Sequence, residues 1–274
     1  MERPDRIALL GAEVDLVTPA EVMDAIAGFV AAGRGAVIAN HNAHSLYLLR
    51  REPQLAAFYR AADLIEIDSR PMILWGRLLG LPVHGRHRCT YLDWRGDFWG
   101  LAEQKGWRVF YLGGAPGVAQ AGAERLRARW PGLQLAVHDG YFDARVEAEE
   151  NLGVVAQIRA FDPDVVLVGM GMPRQESWIH DNRTAFRRGV FLPVGAALDY
   201  EAGVQSAAPR WLGPLGLEWL YRLATQPRRL AFRYLVEPWS LLPAMVGDVG
   251  ARLRRGRRGS PASTPAVGAA DSRR

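Results

Sequence analysis

The sequence has one cysteine, one lysine and no long apolar run. Cys89 alone cannot form an internal disulfide, which excludes the small disulfide-stapled secreted scaffolds and makes a reducing cytoplasm the expectation. No basic stretch followed by an apolar segment opens the chain, so no export signal is expected. Charge-free apolar stretches such as Trp239 to Gly247 and the run after Asp164 as far as Pro173 fall well short of the roughly 20 residues that cross a bilayer as a helix. A repeat of fixed period is absent, which argues against a solenoid. GxGxxG is absent too, which disfavours a dinucleotide-dependent oxidoreductase. What remains, 274 residues at 49% hydrophobic and 23% charged, is globular composition, long enough for one large domain or a domain with appendages.

With a single lysine, the positive charge is almost all arginine, and it is unevenly placed. From Ala208 to the end, twelve arginines face Glu218, Glu237, Asp248 and Asp271; this balance of +8 within a chain total of +5 leaves −3 for residues 1 to 207. An acidic body is joined to a cationic end. The organisation expected is a body over 1–207, an aromatic and arginine-rich helical appendage over 208–248, and a disordered basic tail over 249–274, which closes on RRGRRGSPASTPAVGAADSRR.

The body alternates short runs of valine, isoleucine and leucine with amphipathic stretches, the pattern of βα units on a parallel sheet, so the fold class is α/β. Strands are expected at Ala36 to Ala39, Leu64 to Ile67, Arg108 to Leu112, Leu133 to Val137, Val165 to Val168 and Val190 to Val194. Thr18-Pro19-Ala20-Glu21 reads as a helix start, with a threonine cap, proline in the first turn and a glutamate closing a capping box. Further helices are expected at Ala43 to Ala62, broken near Pro53, and at Pro71 to Leu79, Thr90 to Lys105, Pro116 to Trp130, Glu147 to Phe161 and Pro173 to Arg187. Two more, separated by Pro227, are expected between Trp211 and Arg233.

In an open α/β sheet, ligands bind beyond the carboxyl ends of the strands, and five of these ends carry polar chemistry. The first leads into Asn40-His41-Asn42-Ala43-His44, where an asparagine can cap the next helix or present an amide; no cysteine or carboxylate is spaced to complete a metal pair with the histidines. Asp68 follows the second strand, as a helix cap or as a general base. Gly113 and Gly114 follow the third, and paired glycines before a helix suit either a tight turn or a phosphate drawn close to backbone N–H groups. The loop with Gly140, Tyr141 and Phe142 can stack on a base or cover the sheet edge. After the fifth, Gly169 and Gly171 lead into Pro173-Arg174-Gln175-Glu176, glycines for close approach and then an amide at a helix start. Asp162-Pro163-Asp164 has the form of a metal-holding aspartate pair but precedes its strand, on the wrong side of the sheet, and reads as a turn. No metal and no cofactor are expected.

Taken in order, these segments resemble the WecG/TagA/CpsF glycosyltransferase family (glycosyltransferase family 26) over nearly all of residues 7 to 240. The likeness continues through Val194-Gly195-Ala196-Ala197-Leu198-Asp199, Ala208-Pro209-Arg210-Trp211 and Leu217-Glu218-Trp219-Leu220-Tyr221-Arg222-Leu223. It implies a Rossmann-like parallel sheet flanked by helices, with a C-terminal helical membrane-associating appendage. It implies an inverting, metal-independent transfer of a sugar from a UDP-sugar donor to a polyprenyl-diphosphate-linked acceptor at the cytoplasmic membrane face. Asp68 matches the family's base, and the family arginine falls on Arg86 or Arg88 according to the anchor used. Asn42 and Gln175 fall on motif positions near the donor and the reacting centre, and Asp199 matches the acidic residue after the last strand of the body; Asn40, a further donor-site candidate, stands where threonine is common. Asp68 is followed by Ser69-Arg70-Pro71 where the family usually has a glycine-rich turn, and Ala196 replaces a usual glycine, so the departures lie near the site. The Asn-His-Asn-Ala-His and His-Arg-Cys-Thr-Tyr-Leu-Asp-Trp forms are similar to the exopolysaccharide branch.

Within the appendage, Arg210, Arg222, Arg228, Arg229 and Arg233 intermingle with Trp211, Trp219, Tyr221, Phe232, Tyr234 and Trp239. This mixture suits the headgroup boundary of an anionic membrane, where each basic group contributes about 1 kcal/mol; helices whose aromatics pack on the body would use it too. The expectation is an enzyme peripheral on the inner face of the cell membrane, without a nucleic-acid partner, its homo-oligomerisation open. Rival readings are a non-catalytic nucleotide-sugar-binding protein at the membrane, a Rossmann oxidoreductase, and a nucleic-acid-binding module that the −3 body disfavours.

Overall fold

The computed structural model describes residues 4–209, 211–212 and 216–258. It opens with an antiparallel hairpin, β1 (Arg6–Leu9) and β2 (Ala12–Asp15), that the sequence reading leaves out. Its turn places Leu10 and Gly11 at φ 56° and 77°, a geometry usually marked by asparagine-glycine, so the ordinary signal is missing. Asp15 ties the hairpin to the body, accepting two bonds of 2.7 Å from Arg6 and one of 2.7 Å from the Ile65 N–H.

The six expected strands all form, with ends shifted by no more than two residues. They are β3 (Ala36–His41), β4 (Leu64–Ile67), β5 (Arg108–Gly113), β6 (Gln134–His138), β7 (Val165–Gly169) and β8 (Val190–Pro193). They pair in parallel in the order β4-β3-β8-β7-β5-β6. Because successive residues point to opposite faces, Ile38, Val109, Leu167 and Leu192 enter one apolar layer while Val37, Phe110, Val168 and Phe191 enter the other. Helices α1 (Pro19–Ala31), α5 (Tyr91–Lys105) and α6 (Val118–Arg129) cover the first face. The second is covered by α2 (Ala43–Leu49), α3 (Pro53–Arg60), α4 (Arg70–Leu78), α7 (Glu149–Phe161) and α8 (Arg174–Asn182). Thr18 and Glu21 form the expected capping box on α1. The chain builds β3 and β4, crosses to β5 and β6, and returns to fill the gap with β7 and β8, which gathers the carboxyl ends of β3, β8, β7 and β5 around one crevice.

The short helix α9 (Ala197–Glu201) follows β8, and the appendage consists of α10 (Glu218–Thr225), α11 (Pro227–Leu235), a 3-10 turn (Glu237–Leu241) and α12 (Leu242–Arg258). Helix α12 continues past residue 248, where composition suggests a disordered tail; the rest of that tail, 259–274, lies outside the described residues. The reason is tertiary support. Asp248 accepts bonds from the Leu10 N–H (2.8 Å) and the Trp75 indole (2.9 Å), holding the helix against the hairpin and α4. Asp248→Ala leaves both donors unpaired and is expected to cost about 2 kcal/mol, read as a lower midpoint of urea unfolding. No helix among the described residues is long and apolar enough to cross a membrane.

Candidate active site

The ends of β3 and β4 lie side by side, and the Asp68 N–H donates to the His41 carbonyl at 2.8 Å. Asp68 is not a cap: that position on α4 belongs to Ser69, and no side chain caps the helix. Asn42 does cap α2, its Oδ1 accepting from the N–H groups of His44 and Ser45 at 3.0 Å each. Those bonds orient the amide, and its Nδ2 faces Asp68 Oδ2 at 3.4 Å. The two readings of this asparagine are therefore met by opposite ends of one amide. Burial pushes the Asp68 carboxyl up to about 6 against the lowering influence of Arg88, the Asn42 hydrogen bond, Arg222 and Arg233. It is ionised at neutral pH yet more basic than an ordinary aspartate.

Glu66, two residues earlier on the same strand face, is buried with one carboxyl oxygen unpartnered among the described residues. Burial first and Asp68 second push its carboxyl well above the usual range. The sequence reading passes over it, although spacing by two from a candidate base is a visible signal.

Geometry separates the two candidate arginines. Arg88 bridges to Ile67 at the end of β4, and its charge acts on Asp68; its Nη2 lies 2.7 Å from Glu218 and 3.9 Å from Asp93. Arg86 is exposed on the 3-10 turn Gly85–His87 and borders a separate groove of about 460 Å³ lined also by Thr18, Glu21, His84 and His87. It is not brought to Asp68.

Along the crevice, glycines let the strand ends meet backbone to backbone. A Cβ on Gly113 would fall inside 3.0 Å of the Gly169 carbonyl, and one on Gly169 inside 3.0 Å of the Tyr111 hydroxyl and the Gly195 carbonyl. The Gly140 N–H donates to the Gly114 carbonyl at 2.9 Å, and Asp199 reaches the same turn beside Gly114. Gln175 and Glu176 correct the expectation of direct ligand contact. Gln175 is 2% exposed; its Oε1 accepts from the N–H groups of Gly171 (3.1 Å) and Gly195 (3.2 Å), and its Nε2 donates to Glu176 at 2.7 Å. Glu176 is fully buried, and burial pushes it up to about 7. The pair braces the two loops from beneath. Asn40 is likewise engaged, donating to the Pro193 carbonyl at 2.8 Å and so linking β3 to β8. Arg174 holds the neighbouring loop through the Gly140 and Phe142 carbonyls, while Tyr141 stands 75% exposed.

The profile of the Glycosyl transferase WecG/TagA/CpsF family matches residues 7–255. The chain belongs to this family of glycosyltransferases. Among its relatives are proteins of Staphylococcus aureus strains NCTC 8325 / PS 47, COL and MRSA252, each named N-acetylglucosaminyldiphosphoundecaprenol N-acetyl-beta-D-mannosaminyltransferase. They are 27% identical over 235 residues, 82% of this chain and 87% of theirs. The WecG/TagA/CpsF match takes in nearly all of the hairpin, the whole sheet and most of α12, so the appendage lies within the matched unit.

That unit places two of the appendage arginines against the crevice. Arg222 and Arg233 are both near enough to favour the ionised form of Asp68. Arg222 Nε is buried with no hydrogen-bond partner among the described residues, and burial holds the Arg233 guanidinium below its usual range. Arg228 and Arg229 are exposed, and Arg210 lies outside the described residues. The aspartate pair is occupied at the opposite edge, where Asp164 accepts from the Arg108 N–H at 2.9 Å and Arg188 bridges Asp162 (2.9 Å) and Asp164 (3.1 Å). Among the described residues no group of three histidines, cysteines or carboxylates could hold a metal. For a WecG/TagA/CpsF glycosyltransferase, the chemistry available is one basic carboxylate facing several guanidinium groups.

Proposed function

We propose that this glycosyltransferase moves a hexosyl or N-acetylhexosaminyl group, with inversion, from a UDP-sugar to a polyprenyl-diphosphate-linked saccharide. The observation that carries the reading is Asp68 in one crevice with Arg222 and Arg233, guanidinium groups that form no ion pair among the described residues. Partly desolvated guanidinium groups outside any direct ion pair fit a diphosphate. The lipid-diphosphate acceptor is supported by the names of the relatives. In the step, the acceptor hydroxyl oxygen attacks the anomeric carbon opposite the UDP, the bond from that carbon to the diphosphate oxygen breaks, and Asp68 takes the hydroxyl proton. The leaving charge settles on UDP, where Arg88, Arg222 and Arg233 stabilise it without a metal.

The proposed acceptor and the appendage surface support a cell-membrane setting. Trp219, Phe232, Leu235, Trp239, Val246 and Leu253 are exposed on the appendage, as are Arg228 and Arg229, a composition suited to the headgroup region of an anionic bilayer. Synthesis of an exopolysaccharide or other cell-surface polysaccharide on the cytoplasmic face is the setting in which such an acceptor is extended.

The test is UDP release measured with and without a lipid-diphosphate saccharide, in the presence of a chelator. Release that requires the acceptor and ignores the chelator is expected; release indifferent to the acceptor contradicts the reading. Because Asp68 titrates at about 6 and works as the anion, kcat/KM should be level above that pH and fall about tenfold per unit below it.

A further inference from the structure

The three described acidic residues of the appendage each grip the body. Glu218 meets Arg88 at 2.7 Å, Asp248 meets the hairpin and α4, and Glu237 meets His44 Nδ1 at 2.7 Å. Glu237 is the deepest of these contacts, 4% exposed, and lies four residues after Arg233. The 3-10 turn that it opens is seated on α2, with Leu241 in the core and Arg50 donating to the Ser240 carbonyl, and Phe232 of α11 meets Tyr47 of α2 edge to face at 6.2 Å.

A carboxylate only accepts, so the proton of this contact sits on His44 Nδ1. Burial, and then Arg233, hold the imidazole below its ordinary value in spite of Glu237, which makes it a neutral donor at neutral pH. The backbone N–H of the same His44 donates to Asn42, whose amide faces Asp68. One turn of α2 is thereby fastened at one end to the candidate base and at the other to the appendage. Arg233 has Tyr234, Arg222, Asp68 and Glu237 as its charged or titratable neighbours, and burial disfavours its charge. Where such a guanidinium is presented depends on where the end of α11 that carries it is held.

We infer that His44 and Glu237 are positioning residues that seat the end of α11 so that Arg233 is presented at the Asp68 crevice to a nucleoside diphosphate. The inference rests on the reading of Arg233 as a diphosphate ligand. It assigns the His44 to Glu237 bond a role in ligand binding beyond holding the appendage in place.

The test is UDP affinity by calorimetry on the full chain, with folding of each variant checked by circular dichroism. Arg233→Ala should weaken UDP binding about 10- to 100-fold. Glu237→Ala should do the same, and the double variant should be no weaker than Arg233→Ala alone, within about twofold. His44→Ala, which removes the other partner, should behave as Glu237→Ala does. Glu237→Gln still accepts the bond and should bind within about threefold of the unaltered chain. Effects that multiply in the double variant, or a Glu237→Ala and His44→Ala that bind normally, overturn the positioning role while leaving Arg233 a ligand. So does a folded Glu237→Gln as weak as Glu237→Ala. An Arg233→Ala that binds UDP normally defeats the diphosphate reading itself, and the inference with it.

Discussion

Asp68→Asn is expected to lower turnover by about 1000-fold, within the range general-base catalysis contributes, while UDP still binds. Asparagine has the same shape, and it can accept the Asn42 amide that faces Asp68 at 3.4 Å. What it cannot do is take a proton. The substitution also removes an anion from a crevice shared with Arg88, Arg222 and Arg233, so the affinity for a diphosphate should hold or rise. A loss confined to kcat, read against UDP affinity by calorimetry, separates proton transfer from binding. Turnover within tenfold of the unaltered enzyme would remove Asp68 from the mechanism.

Gly169→Ala is expected to cost at least about 3 kcal/mol, which for a domain of this size lowers the melting temperature by about 6 to 12 °C. The added methyl would fall inside 3.0 Å of the Tyr111 hydroxyl and the Gly195 carbonyl oxygen. One of those is backbone at the end of the adjoining strand, and Tyr111 is fully buried, so neither can step aside cheaply. The strain opens the junction of β5, β7 and the Gly195 loop, the place where a phosphate would approach, and UDP affinity should fall with stability. Gly153→Ala, where a Cβ meets nothing within 4 Å and lies in a helix, is the control and should be neutral or mildly stabilising. A Gly169→Ala chain that melts with the unaltered protein would show the strand ends to be looser than their packing implies.

The sheet is legible in the sequence because its strands are short apolar runs set between amphipathic stretches, the first of them opened by the Thr18 and Glu21 capping box. The hairpin is not, since its strands, RIAL and AEVD, mix charged with apolar residues and the turn opens on leucine where a glycine or asparagine would announce it. At the site, Asp68, Asn42 and the glycines are visible because strand ends are where ligands bind. Direction is what the sequence does not carry. Gln175 and Glu176 share the most conspicuous segment with Gly171, yet they point inward and brace the loops from below. Arg86 and Arg88 differ by two positions and face different grooves. The appendage arginines divide in the same way, Arg222 and Arg233 turning to the crevice and Arg228 and Arg229 to the outside. His44 and Glu237 pair across nearly the whole chain, a contact with no local signature.

The cationic end first suggests an address at a membrane. Its three described carboxylates, each gripping the body, add a second use, since they bring part of that charge to the candidate base. On the proposed reading, membrane contact and chemistry share one appendage.

The most direct measurement is the mass of the lipid product. The protein would be incubated with a panel of UDP-hexoses and UDP-N-acetylhexosamines and with N-acetylglucosaminyldiphosphoundecaprenol or other lipid-diphosphate saccharides. The expected result is a lipid heavier by one sugar with one donor class, made by the unaltered chain and not by Asp68→Asn. UDP bound tightly with no extended lipid from any donor and acceptor pair, or sugar released only to water, would contradict it.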